Sequence, residues 1–125
     1  MINKPFVVLL DSDKESEDDV SFNEKKLIKF GLNEDQYILT RKREIENYIP
    51  CSYFTDKYQH LKISYGDWDD VKKIGNTYML GGKYICKKLF CNLTYDQLQE
   101  TFNPNGTDDE FMEIYEKVMK VIENK

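Results

Sequence analysis

Phe6 to Asp19 reads "FVVLLDSDKESEDD": five apolar residues run straight into two aspartates one residue apart, and then the chain turns acidic. Phe6 to Leu10 is short, β-branched and aromatic-rich. That predicts a strand apolar on both faces, as in the centre of a parallel sheet covered by helices. The segment after it is too charged to pack and predicts a loop. Ligands of open parallel sheets bind beyond the C-terminal ends of the strands. Side chains two apart on a strand point the same way, so Asp11 and Asp13 are expected to project together at that edge. A cation between them would relieve their repulsion, and Mg²⁺, which prefers hard oxygen ligands and retains waters, is the natural candidate. Taken alone, a D-x-D is also read as a solvated acidic loop.

Outward from this stretch, Ser21 to Phe30 sets Phe22, Leu27 and Phe30 among Lys and Glu, a short amphipathic helix with Gly31 as its stop. Gln36 to Thr40 ("QYILT") predicts a second strand, so the order strand, helix, strand predicts a parallel β-α-β unit. Arg43 to Ile49 ("REIENYI") favours a short helix stopped by Pro50. Ser52 to Ile63 lacks a clean period. Gly66-Asp67 is a candidate opening for a helix through Lys73, and Tyr84 to Phe90 is helical by spacing. Thr94-x-x-Gln97 and Thr107-x-x-Glu110 are capping boxes for two further helices. The last carries an apolar stripe of Phe111, Ile114, Tyr115, Val118, Val121 and Ile122. The expectation is one α/β domain over residues 1–125. A sheet-bearing core covers about 5–90, and a helical part covers about 91–125.

With 125 residues, 40% apolar and 33% charged, the chain has an ordinary globular composition. No apolar run reaches a membrane-spanning length, and Met1 to Pro5 lacks a signal-peptide pattern, so a cytoplasmic location without membrane association is expected. The net charge of −5 argues against a generic electrostatic nucleic-acid binder. Carboxylates gathered on metal ions can nevertheless handle a phosphate substrate. Three cysteines without a C-x-x-C pair, and a single His, make a tetrahedral zinc site improbable. Cys51, Cys86 and Cys91 are expected as reduced thiols packed like small hydrophobes.

Two further segments carry chemistry. If "REIENY" is helical, Arg43 and Glu46 lie one turn apart, as do Glu44 and Tyr48; this is also the pattern of an ordinary exposed helix. Because the segment follows the second strand, it is expected to bring Glu44 or Glu46 to the same edge as Asp11 and Asp13. In Gly81-Gly82-Lys83 the glycines permit close backbone approach. Lys83 sits poorly for a helix start, which suggests a separate task such as neutralising a phosphate.

Together, "VVLLDSDK", "ILTRKREIENYIP" and "GGKYI" resemble the catalytic Toprim domain of the OLD (overcoming lysogenization defect) nucleases, ATPase-linked endonucleases often acting in phage defence. The R-E-I-E-N-Y signature is matched letter for letter at Arg43 to Tyr48. The resemblance spans about Phe6 to Ile85 and implies a small parallel sheet of Toprim type, with Mg²⁺ or Mn²⁺ as cofactor. It implies Asp11, Asp13 and Glu44 or Glu46 as ligand candidates, with Glu46 preferred. Lys83 would stabilise transition-state charge, and Arg43, Gly82 and Lys83 would contact the phosphate backbone of DNA. It further implies a glutamate upstream of the D-x-D and an ATPase half, neither of which this sequence carries. The chain is therefore expected to be the C-terminal part of a Toprim domain, incomplete at its N-terminus. An ATPase domain, a partner chain or a second copy would then complete it.

Two other readings differ in class. One is a non-catalytic binding or assembly module, or an inactive half of a split nuclease. The other is a haloacid-dehalogenase-like phosphatase, whose first motif is also an apolar strand followed by D-x-D. In that family a Thr, Ser or Val usually follows the second Asp by two, where this chain has Glu15.

Overall fold

The structure, a computed structural model, describes residues 5–58, 60, 62–77 and 87–123. Among these residues the chain is mixed α/β with one small parallel sheet. Strand β1 (Val8–Leu10) leads through helix α1 (Phe22–Lys29) to strand β2 (Tyr37–Leu39). The strands pair in parallel, with Val8 opposite Tyr37 and Leu10 opposite Leu39, so the expected β-α-β unit is present. Ser21 caps α1, its hydroxyl accepting from Glu24 N–H at 3.1 Å. Gly31 follows the helix at φ +87°, a left-handed turn that glycine adopts without a Cβ clash.

The strand expected to be buried on both faces is not. Leu9 and Phe6 are each 49% exposed, because β1 has one strand neighbour among the described residues. The same shortage of sheet leaves Phe22 and Phe30 of the α1 segment exposed, with Leu27 its one buried apolar residue. Two three-residue strands offer too little surface to cover a whole helix face.

"REIENY" forms a 3₁₀ turn (Ile45–Tyr48) rather than the expected α-helix. The turn is held open for tertiary bonds. Glu44 N–H donates to Asn47 Oδ1 at 3.0 Å, while Asn47 Nδ2 donates to Gly66 O at 2.9 Å and Asp69 O at 3.0 Å. Helix α2 (Cys51–Lys57) starts directly after Pro50, in a region where no element was expected. Proline's missing N–H costs nothing at a helix start, so Pro50 separates two elements at once. Helix α3 (Val71–Thr77) begins later than Gly66, which stays in a loop with its N–H on Asp69 Oδ2 at 2.7 Å.

Helix α4 (Lys87–Cys91) overlaps the expected Tyr84 to Phe90 segment. Residues 84–86, with Cys86, lie outside the described residues. Of the other thiols Cys51 is partly buried, but Cys91 is exposed rather than packed. Helix α5 (Tyr95–Phe102) carries the expected box: Thr94 N–H donates to Gln97 Oε1 at 2.8 Å, and Gln97 N–H to Thr94 Oγ1 at 3.2 Å. Helix α6 (Glu110–Glu123) starts from Asp109 instead of Thr107, since Asp109 Oδ1 accepts from Met112 N–H at 3.1 Å. Glu110 is thereby freed for the interior.

Two apolar clusters form the core. Ile49, Phe54, Ile63 and Val71 make one, and Tyr48, Leu98 and Phe102 the other, with Phe90 and Leu93 packed against both. Tyr48 and Ile49 are adjacent in sequence yet belong to different clusters. The end of the 3₁₀ turn is therefore clamped from two sides.

Candidate metal centre

Beyond the C-terminal ends of the two strands, carboxylate oxygens of Asp11, Glu44 and Glu46 lie within 4.8 Å of one another. Each is placed by a separate local device. Asp11 directly follows β1, and its Oδ1 accepts from Ile45 N–H at 2.8 Å, which ties the strand end to the first residue of the 3₁₀ turn. Glu44 is that turn's cap residue, in extended conformation. Glu46 lies inside the turn and is 1% exposed.

Ser12, between the two aspartates, is buried and knots the strand end in place. Its N–H donates to Thr40 Oγ1 at 3.1 Å, its hydroxyl donates to Lys42 O at 2.7 Å, and its carbonyl accepts from Ser21 Oγ at 2.8 Å. Strand alternation fails immediately afterwards. Asp13 has φ +55° and donates its N–H to Arg43 O at 2.8 Å, so the aspartates do not project as a pair. Asp13 stands outside the carboxylate group, its Oδ2 accepting from Asn23 Nδ2 at 3.0 Å. The physical reason is the turn: the chain leaves the extended conformation at Asp13 to pair its backbone with Arg43.

Among the described residues, Lys72 and Arg43 are the positive groups beside the trio. Lys72 Nζ lies 3.4 Å from Glu46 Oε1 and 3.7 Å from Glu44 Oε2. Arg43 donates to Trp68 O at 3.2 Å and stands 3.9 Å from both Glu44 and Glu15. Burial raises the Glu44 carboxyl above its ordinary value, and the neighbouring Glu46 adds to this, while Lys72 opposes it. Burial pulls the Lys72 ammonium down, but Glu46 and Glu44 outweigh it and hold the group firmly charged. Despite this, Glu46 Oε2 and Arg43 Nε are buried without a hydrogen-bond partner among the described residues. An orphaned buried carboxylate oxygen is costly, and hard oxygen ligands of this kind suit Mg²⁺ or Mn²⁺.

Of the residues expected at the site, the structure brings together Asp11, Glu44 and Glu46, with Arg43 beside Glu44. It leaves Asp13 aside. Gly82 and Lys83 lie outside the described residues, as does Gly81. Sequence reasoning missed Lys72, whose place on α3 carries no local signal, and it missed Asn47 and Tyr48 as the residues that hold the turn. Those two are part of the R-E-I-E-N-Y string, which was the available clue.

Among the described residues no helix is long and apolar enough to cross a membrane. Compared with known proteins, the chain matches no family model, no curated protein and no solved structure.

Proposed function

We propose that the chain is a divalent-metal-dependent nuclease domain of the Toprim type found in OLD enzymes, hydrolysing phosphodiesters of DNA. The observation that carries this reading is the convergence of Asp11, Glu44 and Glu46 behind the strand ends, from segments more than thirty residues apart in sequence. These three carboxylates would hold Mg²⁺ or Mn²⁺. Bound there, the metal supplies Lewis acidity toward a phosphoryl oxygen and lowers the pKa of a coordinated water.

The chain's own residues have distinct parts. The Ile45 N–H fixes the orientation of Asp11, and the 3₁₀ turn fixes the spacing of Glu44 and Glu46. Arg43, mostly buried beside Glu44, would add positive charge next to a phosphate of the DNA backbone. Lys83 would stabilise developing negative charge, with Gly82 allowing close approach. Asp13 would serve only as an outer ligand, through water. A glutamate from a partner chain, an ATPase domain or a second copy completes the site in this reading.

Cleavage of supercoiled plasmid with Mg²⁺ and with Mn²⁺ tests the proposal, wild type beside Glu46→Gln and Lys83→Ala. Loss of cleavage in both variants is expected. Undiminished cleavage by Glu46→Gln would count against it, whereas no cleavage by the wild type would mean that the site needs the outside glutamate. A second reading, an assembly module, is favoured by one observation: β1 keeps an edge without a strand partner among the described residues, flanked by half-exposed Leu9 and Phe6. Concentration-dependent self-association in sedimentation velocity, abolished by Leu9→Lys, would support it. A monomer at all concentrations would remove self-assembly from consideration.

A further inference from the structure

Among the described residues, Lys72 is a cation beside the carboxylate trio that the proposed chemistry leaves without a task. Its ammonium stands 3.4 Å from Glu46 Oε1 and 3.7 Å from Glu44 Oε2. Both distances exceed that of a normal hydrogen bond, so charge rather than directed bonding holds the group there. The lysine side chain is 48% exposed, whereas its neighbour Val71 is 2% exposed and part of the core. The backbone of α3 is thus anchored at Val71 while the ammonium has solvent beside it. The cation is tethered, not packed.

A divalent ion taking the same oxygens would draw them to about 2.0–2.1 Å for Mg²⁺. The ammonium would then share ligand atoms with a doubly charged ion in a partly buried setting, where like charges repel with little screening. The two cations therefore compete for the same oxygens. The buried Glu46 Oε2 has no donor among the described residues, so Lys72 satisfies the cluster only in part. An ion that binds several carboxylate oxygens at once meets that deficit, and a single ammonium does not.

We infer that Lys72 is a tethered counter-ion, which a divalent metal must expel from Glu44 and Glu46 to occupy the site. The inference rests on the metal-site reading above and adds an exchange to it. Lysine and metal are mutually exclusive ligands of one carboxylate group, so metal affinity is set by the difference between them and not by the carboxylates alone. Monovalent cations, which match the lysine only in charge, do not displace it.

The test is titration of MnCl₂ into wild type, Lys72→Met and Glu46→Gln, followed by calorimetry and by the loss of the free Mn²⁺ electron-paramagnetic-resonance signal. Lys72→Met is expected to bind Mn²⁺ at least about tenfold more tightly than wild type, within the usual range of coupling between two ligands. Glu46→Gln is expected to bind more weakly. Equal or weaker binding by Lys72→Met, with the wild type still binding, would overturn the exchange and leave the metal site standing. Absence of Mn²⁺ binding in every protein would overturn both. Removing the lysine also leaves the carboxylates without their nearest cation, so Lys72→Met is expected to melt lower than wild type and to gain more from Mn²⁺ in circular-dichroism melts. If the variant folds only with Mn²⁺, that rescue upholds the inference; failure of Mn²⁺ to stabilise it more than wild type overturns it.

Discussion

Tyr48→Phe removes one oxygen from a fully buried side chain and tests how the last helix holds the site. The Tyr48 hydroxyl lies 2.6 Å from both carboxylate oxygens of Glu110 and donates to that group. It also accepts from Lys42 N–H at 3.1 Å. Burial, then Glu110, push its pKa far up, so the phenol keeps its proton and its donor role at any working pH. The ring's stacking on Phe102, centroids 4.2 Å apart, survives the substitution. What is lost is a hydrogen bond to a charged acceptor, about 1.5–3 kcal/mol, together with the acceptor of Lys42 N–H, about 1–3 kcal/mol when left unsatisfied. Partial relaxation places the expected destabilisation at about 3 kcal/mol, within a total of about 5–15 kcal/mol for a domain of this kind. With a urea m-value of about 2 kcal/mol/M, the midpoint should fall by about 1.5 M at unchanged slope. Urea unfolding followed by circular dichroism and Trp68 fluorescence measures this. In a Glu110→Ala background the cost of Tyr48→Phe should shrink by 1 kcal/mol or more, since about that much belongs to the pair. A loss below about 0.5 kcal/mol, or the same loss in both backgrounds, would refute the assignment of Glu110 as Tyr48's partner.

Other perturbations separate the parts of the site. Asp11→Asn is expected to weaken Mn²⁺ binding by at least about tenfold, and Asp13→Asn by much less, because Asp13 stands outside the trio. A larger effect of Asp13→Asn would restore both aspartates as ligands. Replacement of Asp13 by Gly should be tolerated, while Val at φ +55° should cost about 1–2 kcal/mol in chemical denaturation. Asn47→Ala should destabilise by about 2 kcal/mol, since its amide bonds Gly66 O and Asp69 O, and should weaken Mn²⁺ binding by freeing the turn. Stability equal to wild type would show the turn to be held by packing alone. The raised Glu44 carboxyl fixes a pH dependence. The folded chain binds that proton more tightly than the unfolded chain, so this group's contribution is full below its ordinary value of 4.5 and is lost as pH rises through the raised folded value. Metal needs the deprotonated form, so Mn²⁺ affinity should rise over the same window, and melts with and without Mn²⁺ should diverge with increasing pH.

The parts of the fold legible in the sequence are those fixed within a few residues. Ser21 and Gly31 bracket α1, and Thr94 with Gln97 opens α5, because each cap satisfies backbone groups three or four positions away. The strand-end rule put Asp11, Asp13 and Glu44 or Glu46 at one edge; the parallel pairing of Val8–Leu10 with Tyr37–Leu39 brings those segments together, and Asp11 meets both glutamates there while Asp13 does not. The parts that were illegible depend on partners distant in sequence. Asp13 leaves the strand to donate to Arg43, thirty residues on, and nothing near Asp13 announces that. Likewise the choice between an α-helix and a 3₁₀ turn at Ile45–Tyr48 is decided by the carbonyls of Gly66 and Asp69. Thr107 offers a capping box, but Asp109 caps α6, because starting there sends Glu110 inward to Tyr48.

That last substitution of one cap for another links the fold to the site. Tyr48 and Ile49 end the segment that carries Glu44 and Glu46, and each is fully buried in a different half of the core. α6 reaches this segment through Glu110, which binds Tyr48, and α5 reaches it through Thr101, whose hydroxyl donates to Tyr48 O. α3 reaches it from the other side, with Val71 in the Ile49 cluster and Lys72 on the glutamates. The C-terminal helices therefore do more than cover the sheet. They set the position of a four-residue turn whose carboxylates repel one another, and the repulsion is tolerated because the turn is clamped at both hydrophobic clusters. A chain that kept Asp11, Glu44 and Glu46 but lost α6 would lose the Glu110 bond to Tyr48, one of the contacts that hold the turn in place.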